Sequence, residues 1–192
     1  MDTKRLVLLA ALAVTAVILA FVFFRSGGEE KIKQLPIEHP KKKEQSQDQV
    51  LQTKAITLFF LSEDDQLLHP EQREILDNPS VAHLASQTIE QLLKGSRNGS
   101  LSAFPEETKL RELFVTREGI AYVDFSGEIT DGHISGSTAE ISTVFTIVNS
   151  LTYNFKSIKR VFILIEGIER ETLAGHIDLS RPLLPRYDLI AN

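Results

Sequence analysis

The fold class that this sequence predicts is α+β: a two-layer sandwich of a small mixed sheet with two helices, preceded by one N-terminal transmembrane helix. Three observations carry that expectation. From residue 79 the apolar periodicity runs helix, strand, strand, helix, strand, an order that lets both helices cover one face of a sheet. Nineteen residues without a charge lie near the N-terminus. A polar stretch then separates that run from the remainder.

Leu6–Phe24 reads LVLLAALAVTAVILAFVFF. At about 1.5 Å per residue it spans roughly 28 Å, close to the hydrocarbon thickness of a bilayer. A cleaved signal peptide would have a shorter apolar region ending in small residues, whereas Phe21, Val22, Phe23 and Phe24 fill that place. The run therefore reads as an uncleaved signal anchor within residues 1–25. Lys4 and Arg5 stand immediately before it, which places the N-terminus in the cytoplasm and the remainder outside, by the positive-inside rule. Residues 26–53, rich in Lys, Glu, Gln and Pro, read as a flexible solvated linker. Residues 54–192 form the exported domain, with 13 basic and 20 acidic side chains. Such an acidic domain does not suit nucleic acid, whose binders need a basic face. The 192 residues contain no cysteine, which excludes disulfides, thiolate metal sites and a cysteine nucleophile.

Within the domain, AITLFFL at 55–61 reads as a buried strand ended by the acidic turn SEDD. Gln66–Leu76 reads as extended, with Pro70 interrupting any continuous ladder. Asn78 and Pro79 supply a cap and a first helical position for a helix over 79–94, stopped by Gly95. Leu110–Arg117 and Ile120–Phe125 pair across a two-residue Glu118-Gly119 turn. In the second of these strands Ile120, Tyr122 and Asp124 alternate with Ala121, Val123 and Phe125, which suits a sheet with one buried side. Ser137-Thr138-Ala139-Glu140 has the capping-box pattern, and Ile141, Val144, Phe145, Val148 and Leu151 mark the apolar face of the helix that follows. Val161–Ile165 is the last clear strand, with Glu166-Gly167 as its turn. GHIDLSRPLLP predicts one more short strand, ended by Pro182 and Pro185.

Chemistry is sparse. Neither the nucleophile elbow nor zinc-protease, Walker A or dinucleotide-binding motifs occur. Glu128, Asp131 and His133, with Glu140 nearby, have the ligand types for a divalent ion, but Gly127, Gly132, Ser135 and Gly136 mark that segment as a polar loop. His176 and Asp178 have the alternating spacing that puts both on one strand face. Such a pair could transfer a proton, or could simply hydrogen-bond at a strand edge. These residues, with the Asp124–Glu140 loop, are the ligand-site candidates. No catalytic set, metal or cofactor is expected.

The strand VFILIEG followed by TLAGHIDLSRPL resembles the end of the GerMN domain of sporulation and germination proteins. ITLFFL, IEQLLKG, SLSAFPEETKL, IAYVDFSGEI and STAEISTVFTIVNSLT complete the pattern over about residues 54–183. The resemblance implies an envelope-associated, non-catalytic module, similar in its helix-strand-strand-helix-strand core to ring-building domains. With the anchor, it implies a single-pass protein of the bacterial inner membrane, its C-terminal domain periplasmic. The expected partners are the membrane, an envelope protein or a second copy of the chain, and a cell-wall polymer.

Overall fold

The computed structural model describes residues 52–132 and 136–191. The predicted span at 6–24, the linker as far as residue 51, and His133 lie outside these residues. Among the described residues no helix is long and apolar enough to cross a membrane. Gln49–Asn192 forms a compact unit of its own. One apolar core runs through it, from Ile56 in the first strand to Leu179 near the end. It has what a domain needs to fold alone.

The chain opens with an antiparallel hairpin of β1 (Thr53–Leu61) and β2 (Leu68–Leu76), followed by helix α1 (Val81–Leu93). Strands β3 (Leu110–Val115) and β4 (Ile120–Phe125) lead to a single turn of helix, α2 (Glu128–Asp131), and to the long helix α3 (Ser137–Asn154). Strands β5 (Arg160–Ile165) and β6 (Ile168–Glu169) complete the regular structure, with a 3-10 turn at Tyr187–Leu189. The α+β class and the mixed sheet appear as the sequence predicts. The sheet runs β3-β4-β5-β6, with β4 and β5 parallel and the outer pairs antiparallel. The hairpin forms a second sheet of two strands.

Helix α3 joins the two, packing against β1 and β5, while α1 packs on β3, β2 and α3. Position explains why α3 is buried around its whole circumference from Ser142 to Thr152 rather than along one stripe. Its polar residues are therefore interior, and several replace a neighbouring strand. Asn154 Nδ2 donates to Thr57 O at 2.6 Å while its Oδ1 accepts from Thr57 N at 2.9 Å. Ser150 Oγ accepts from Phe59 N at 3.1 Å. Asn149 grips the backbone of Arg186 the same way, at 2.8 and 2.9 Å. On the opposite edge of the hairpin, Gln87 of α1 pairs with the N–H and carbonyl of Leu76.

These bonds explain one departure from expectation. Pro70 lies inside β2 opposite Phe59, in an uninterrupted ladder. The Phe59 N–H points at Ser150, so the Phe59–Pro70 pair exchanges no ladder bond and the missing proline N–H costs nothing there. Other boundaries shift for equally local reasons. Helix α1 is capped by Ser80, whose side chain accepts from His83 N, while Asn78 turns its carboxamide oxygen to Ser80 N. The β3–β4 loop is Arg117–Gly119, three residues, since Thr116 N still bonds Ile120 O. Gly119 has φ +84, and a Cβ there would meet Ser157 O at 2.6 Å, so only glycine fits. The segment 176–178 is irregular rather than a strand. The tail instead bridges Val161 through Leu183, then β2 at Leu68 through Ile190, and so ties both sheets together.

A buried ion pair locks the end of α1. Arg73 Nε donates to Glu71 Oε1 at 2.8 Å, and its remaining nitrogens donate to Gln91 O and Gly95 O at the helix C-terminus. Glu71 Oε2 accepts from Ser96 Oγ and Arg97 N. Burial raises the Glu71 carboxyl, but these donors outweigh it and hold it below the ordinary range.

Candidate functional site

Glu140 does not close a capping box. Gly136 is the N-cap residue of α3, so Ser137 is already inside the helix and Glu140 lies a full turn in. Its side chain is 0% exposed and crosses to the loop 173–177. There Oε1 accepts from Leu173 N and Ala174 N at 3.0 Å each, and Oε2 accepts from His176 N at 2.7 Å. His176 Nδ1 stands 3.1 Å from the same Oε2. Burial pushes the carboxyl up, but backbone N–H groups at Ala174, Ile177, His176 and Leu173 outweigh it and keep it below the ordinary glutamate range. Both oxygens are thus committed to backbone donors. A carboxylate held this way is a weak base and a strong fastener for the loop.

The other predicted residues are placed apart from this pair. Asp178 turns away from His176 and accepts from Ser180 N, Ser180 Oγ and Arg181 Nε; the Ser180 hydroxyl is the main reason its carboxyl lies below its usual range. Glu128 opens α2, lowered chiefly by the Ser126 hydroxyl, and Asp131 ends it. Among the described residues no three acidic or histidine side chains stand where they could hold a metal ion.

Asp124 belongs to the outer face of the four-stranded sheet. The inner face of β4 is Ala121, Val123 and Phe125, all fully buried. The register aligns Phe114 with Tyr122 and Tyr122 with Phe162 on the other side, an aromatic strip across β3, β4 and β5. The Phe114 and Tyr122 rings stack at 4.7 Å between centroids with planes 7° apart, and Phe162 meets Tyr122 edge-on at 5.3 Å. Phe162 is buried, Tyr122 half-buried, and Phe114 46% exposed.

A bulge sharpens this face. The β3–β4 register slips between Leu110 and Glu112, which keeps Leu110 pointing inward and frees Arg111. Arg111 Nη1 lies 3.1 Å from Asp124 Oδ2 and 3.5 Å from Glu166 Oε2. Asp124 Oδ1 accepts from Gly167 N and Glu166 Oε1 from Gly127 N, so the cluster also holds the β5–β6 turn, where Glu166 and Gly167 both have positive φ. Reasoning from sequence finds the alternation in β4 but not the strip, because Phe114 and Phe162 join Tyr122 only through register.

The comparisons agree with this architecture. The sequence matches the family described as Germane, sporulation and spore germination, over residues 57–171. A candidate lipoprotein of Clostridium perfringens is similar in structure, with 28% identity and a TM-score of 0.50, over 74% of this chain and 96% of that one. The first GerMN domain of the Bacillus subtilis sporulation protein GerM is 22% identical with a TM-score of 0.53, over 70% of this chain and 99% of that one. Against the tandem GerMN domains of the same protein the identity is 22% and the TM-score 0.56, over 71% of this chain and 48% of the tandem. No curated protein sequence matches. With its family match spanning more than half its length, the chain belongs to the Germane, or GerMN, family of sporulation and spore germination domains.

Proposed function

We propose that this protein is a non-catalytic module of the bacterial cell envelope, anchored in the inner membrane by residues 6–24 and binding an envelope protein through the outer face of its sheet. The observation that carries the reading is the stacked Phe114–Tyr122 pair left open to solvent beside the Arg111–Asp124–Glu166 cluster. Rigid aromatic anchors edged by charge have the composition of interface hot spots. The family, which is not a known enzyme family, supports it. So does the similarity to a candidate lipoprotein, since lipoproteins are held at membranes. The commitment of Glu140 to the 173–177 loop weighs against a proton-transfer role for Glu140 and His176.

A photoreactive phenylalanine analogue at Phe114, irradiated in the native host, tests the proposal. The expected result is a discrete adduct of higher mass, absent when the analogue replaces exposed Glu90 on α1. The adduct's mass distinguishes a second copy from another protein. No adduct at position 114, or turnover of cell-wall substrate by the purified protein, overturns the reading.

A further inference from the structure

We infer that the end of the domain where the chain enters β1 docks on an anionic phospholipid surface, a contact separate from the aromatic face of the sheet. The choice of a bilayer rests on the anchor proposed above. Five of the domain's 13 basic side chains gather at this end, although its 20 acidic ones make the domain negative as a whole. Topology brings them together. Lys54, at the start of β1, stands over the Phe155 ring just past the end of α3, with Nζ 5.6 Å from the ring centroid. Lys156 is the next residue, and Lys159 and Arg160 lead into β5. The N–H groups of Lys159 and Arg160 both donate to Gly119 O, at 2.8 and 3.2 Å, which brings the β3–β4 turn and Arg117 alongside.

These charges are not spent inside the domain. Arg73, Arg111, Arg181 and Arg186 each have a carboxylate partner, whereas none of the five does among the described residues. Lys156, Lys159, Arg160 and Arg117 are exposed. Glu118, in the turn, offsets one of the five. Glu74 and Asp77 are tied to the other edge of β1, across the strand from α3, Glu74 opposite Ala55 and Asp77 bonded through its N–H to Gln52 O. Cations held together without partners repel one another, and a surface of many anions relieves that repulsion.

Amphipathic residues edge the cluster and point to lipid. Tyr153, Lys156, Tyr187 and Ile190 line a cleft of about 320 Å³, with the two rings 6.5 Å apart between centroids and their planes 79° apart. Asp188, beside Tyr187, is held by Arg186. Leu183 bridges Val161 next to Arg160, and Leu184 after it is 64% exposed. Tyrosine rings at headgroup level, lysines reaching phosphates and an apolar side chain below them suit a membrane–water interface. A soluble polyanion would use the charges and leave Leu184 and the rings without a partner. In the sequence β1 is preceded by the linker and the predicted span, so the tether is attached at this same end. A tether raises the local concentration of the surface, so a weak contact suffices.

The test is co-sedimentation of Gln49–Asn192 with vesicles of mixed phosphatidylglycerol and phosphatidylcholine, and with vesicles of phosphatidylcholine alone. Binding to the anionic vesicles in low salt, its loss in high salt and none to phosphatidylcholine are expected. Lys156→Gln with Lys159→Gln should weaken binding by about thirtyfold and leave Tm unchanged, both side chains being exposed. Lys94→Gln with Arg97→Gln removes the same charge at the end of α1 and should leave binding within about twofold of the wild type. No binding to anionic vesicles in low salt, equal binding to phosphatidylcholine, or equal weakening by the two double variants would overturn the inference. Retention by soluble poly(glycerol phosphate) without vesicle binding would also overturn it, in favour of a wall polyanion. The fragment lacks residues 6–24, so failure of this surface and failure of the anchor are separate results.

Discussion

At the scale of single residues the buried carboxylate of Glu140 ties helix α3 to a distant loop. Replacing Glu140 with Gln keeps one acceptor but turns an amide toward N–H groups that have no other partner. Glu140→Gln is expected to cost about 3 kcal/mol at neutral pH, read from urea denaturation. Because the native carboxyl lies below its ordinary range, its contribution is complete at neutral pH. It fades as the pH falls through the ordinary glutamate value and on through the native one. The gap between wild type and Glu140→Gln should therefore narrow steadily from pH 5 to pH 3; a constant gap would show that the charge is irrelevant. Sequence reasoning misassigns this residue for a definite reason. Ser-x-x-Glu before an apolar run is the capping-box pattern, but Gly136 takes the cap position, and the Glu140 carboxylate instead meets a loop more than thirty positions away. Local spacing cannot report a partner at that separation.

At the scale of elements the recurring device is a side-chain amide or hydroxyl replacing a missing strand. Asn154 and Ser150 complete β1, Gln87 completes β2, and Asn149 completes the tail. These replacements differ in depth, so their loss should differ too. Asn154→Leu leaves the Thr57 N–H and carbonyl unpaired in partly buried surroundings and is expected to cost about 2 kcal/mol. Gln87→Leu removes the same kind of pair where it is exposed and water can take over, so its cost should stay within about 0.5 kcal/mol. Chemical denaturation of the two variants side by side checks the contrast, and equal costs would refute it. The order of elements from α1 to β5 is legible in the sequence because apolar periodicity is a local signal. The burial of α3 on every side is not, since Ser142, Asn149 and Ser150 look like a wet face until a second sheet lies against them. Pro70 misleads similarly, because the direction of a strand's N–H groups depends on register.

At the scale of the whole molecule two sheets share one helix, and the tail stitches them. Leu183 pairs with Val161 and Ile190 with Leu68, while the Tyr187 hydroxyl donates to Thr152 Oγ1 on α3. A chain ending at Pro182 loses all three contacts and the Asn149–Arg186 pair. The expected result is a loss of about 4 kcal/mol, seen as a Tm lower by roughly 15 °C; an unchanged Tm would show the tail to be an ornament. The arrangement also has a meaning in time. The hairpin is the first part of the domain to be synthesised, and its ladder is local enough to form early. Its β1 edge nevertheless stays open until Ser150 and Asn154 arrive, and its Leu68 end until Ile190 does, roughly a hundred residues or more after the strands they cover. A half-made domain is consequently an unsealed one, without a stable core. Such an architecture postpones closure of the core until nearly all of the chain has been made.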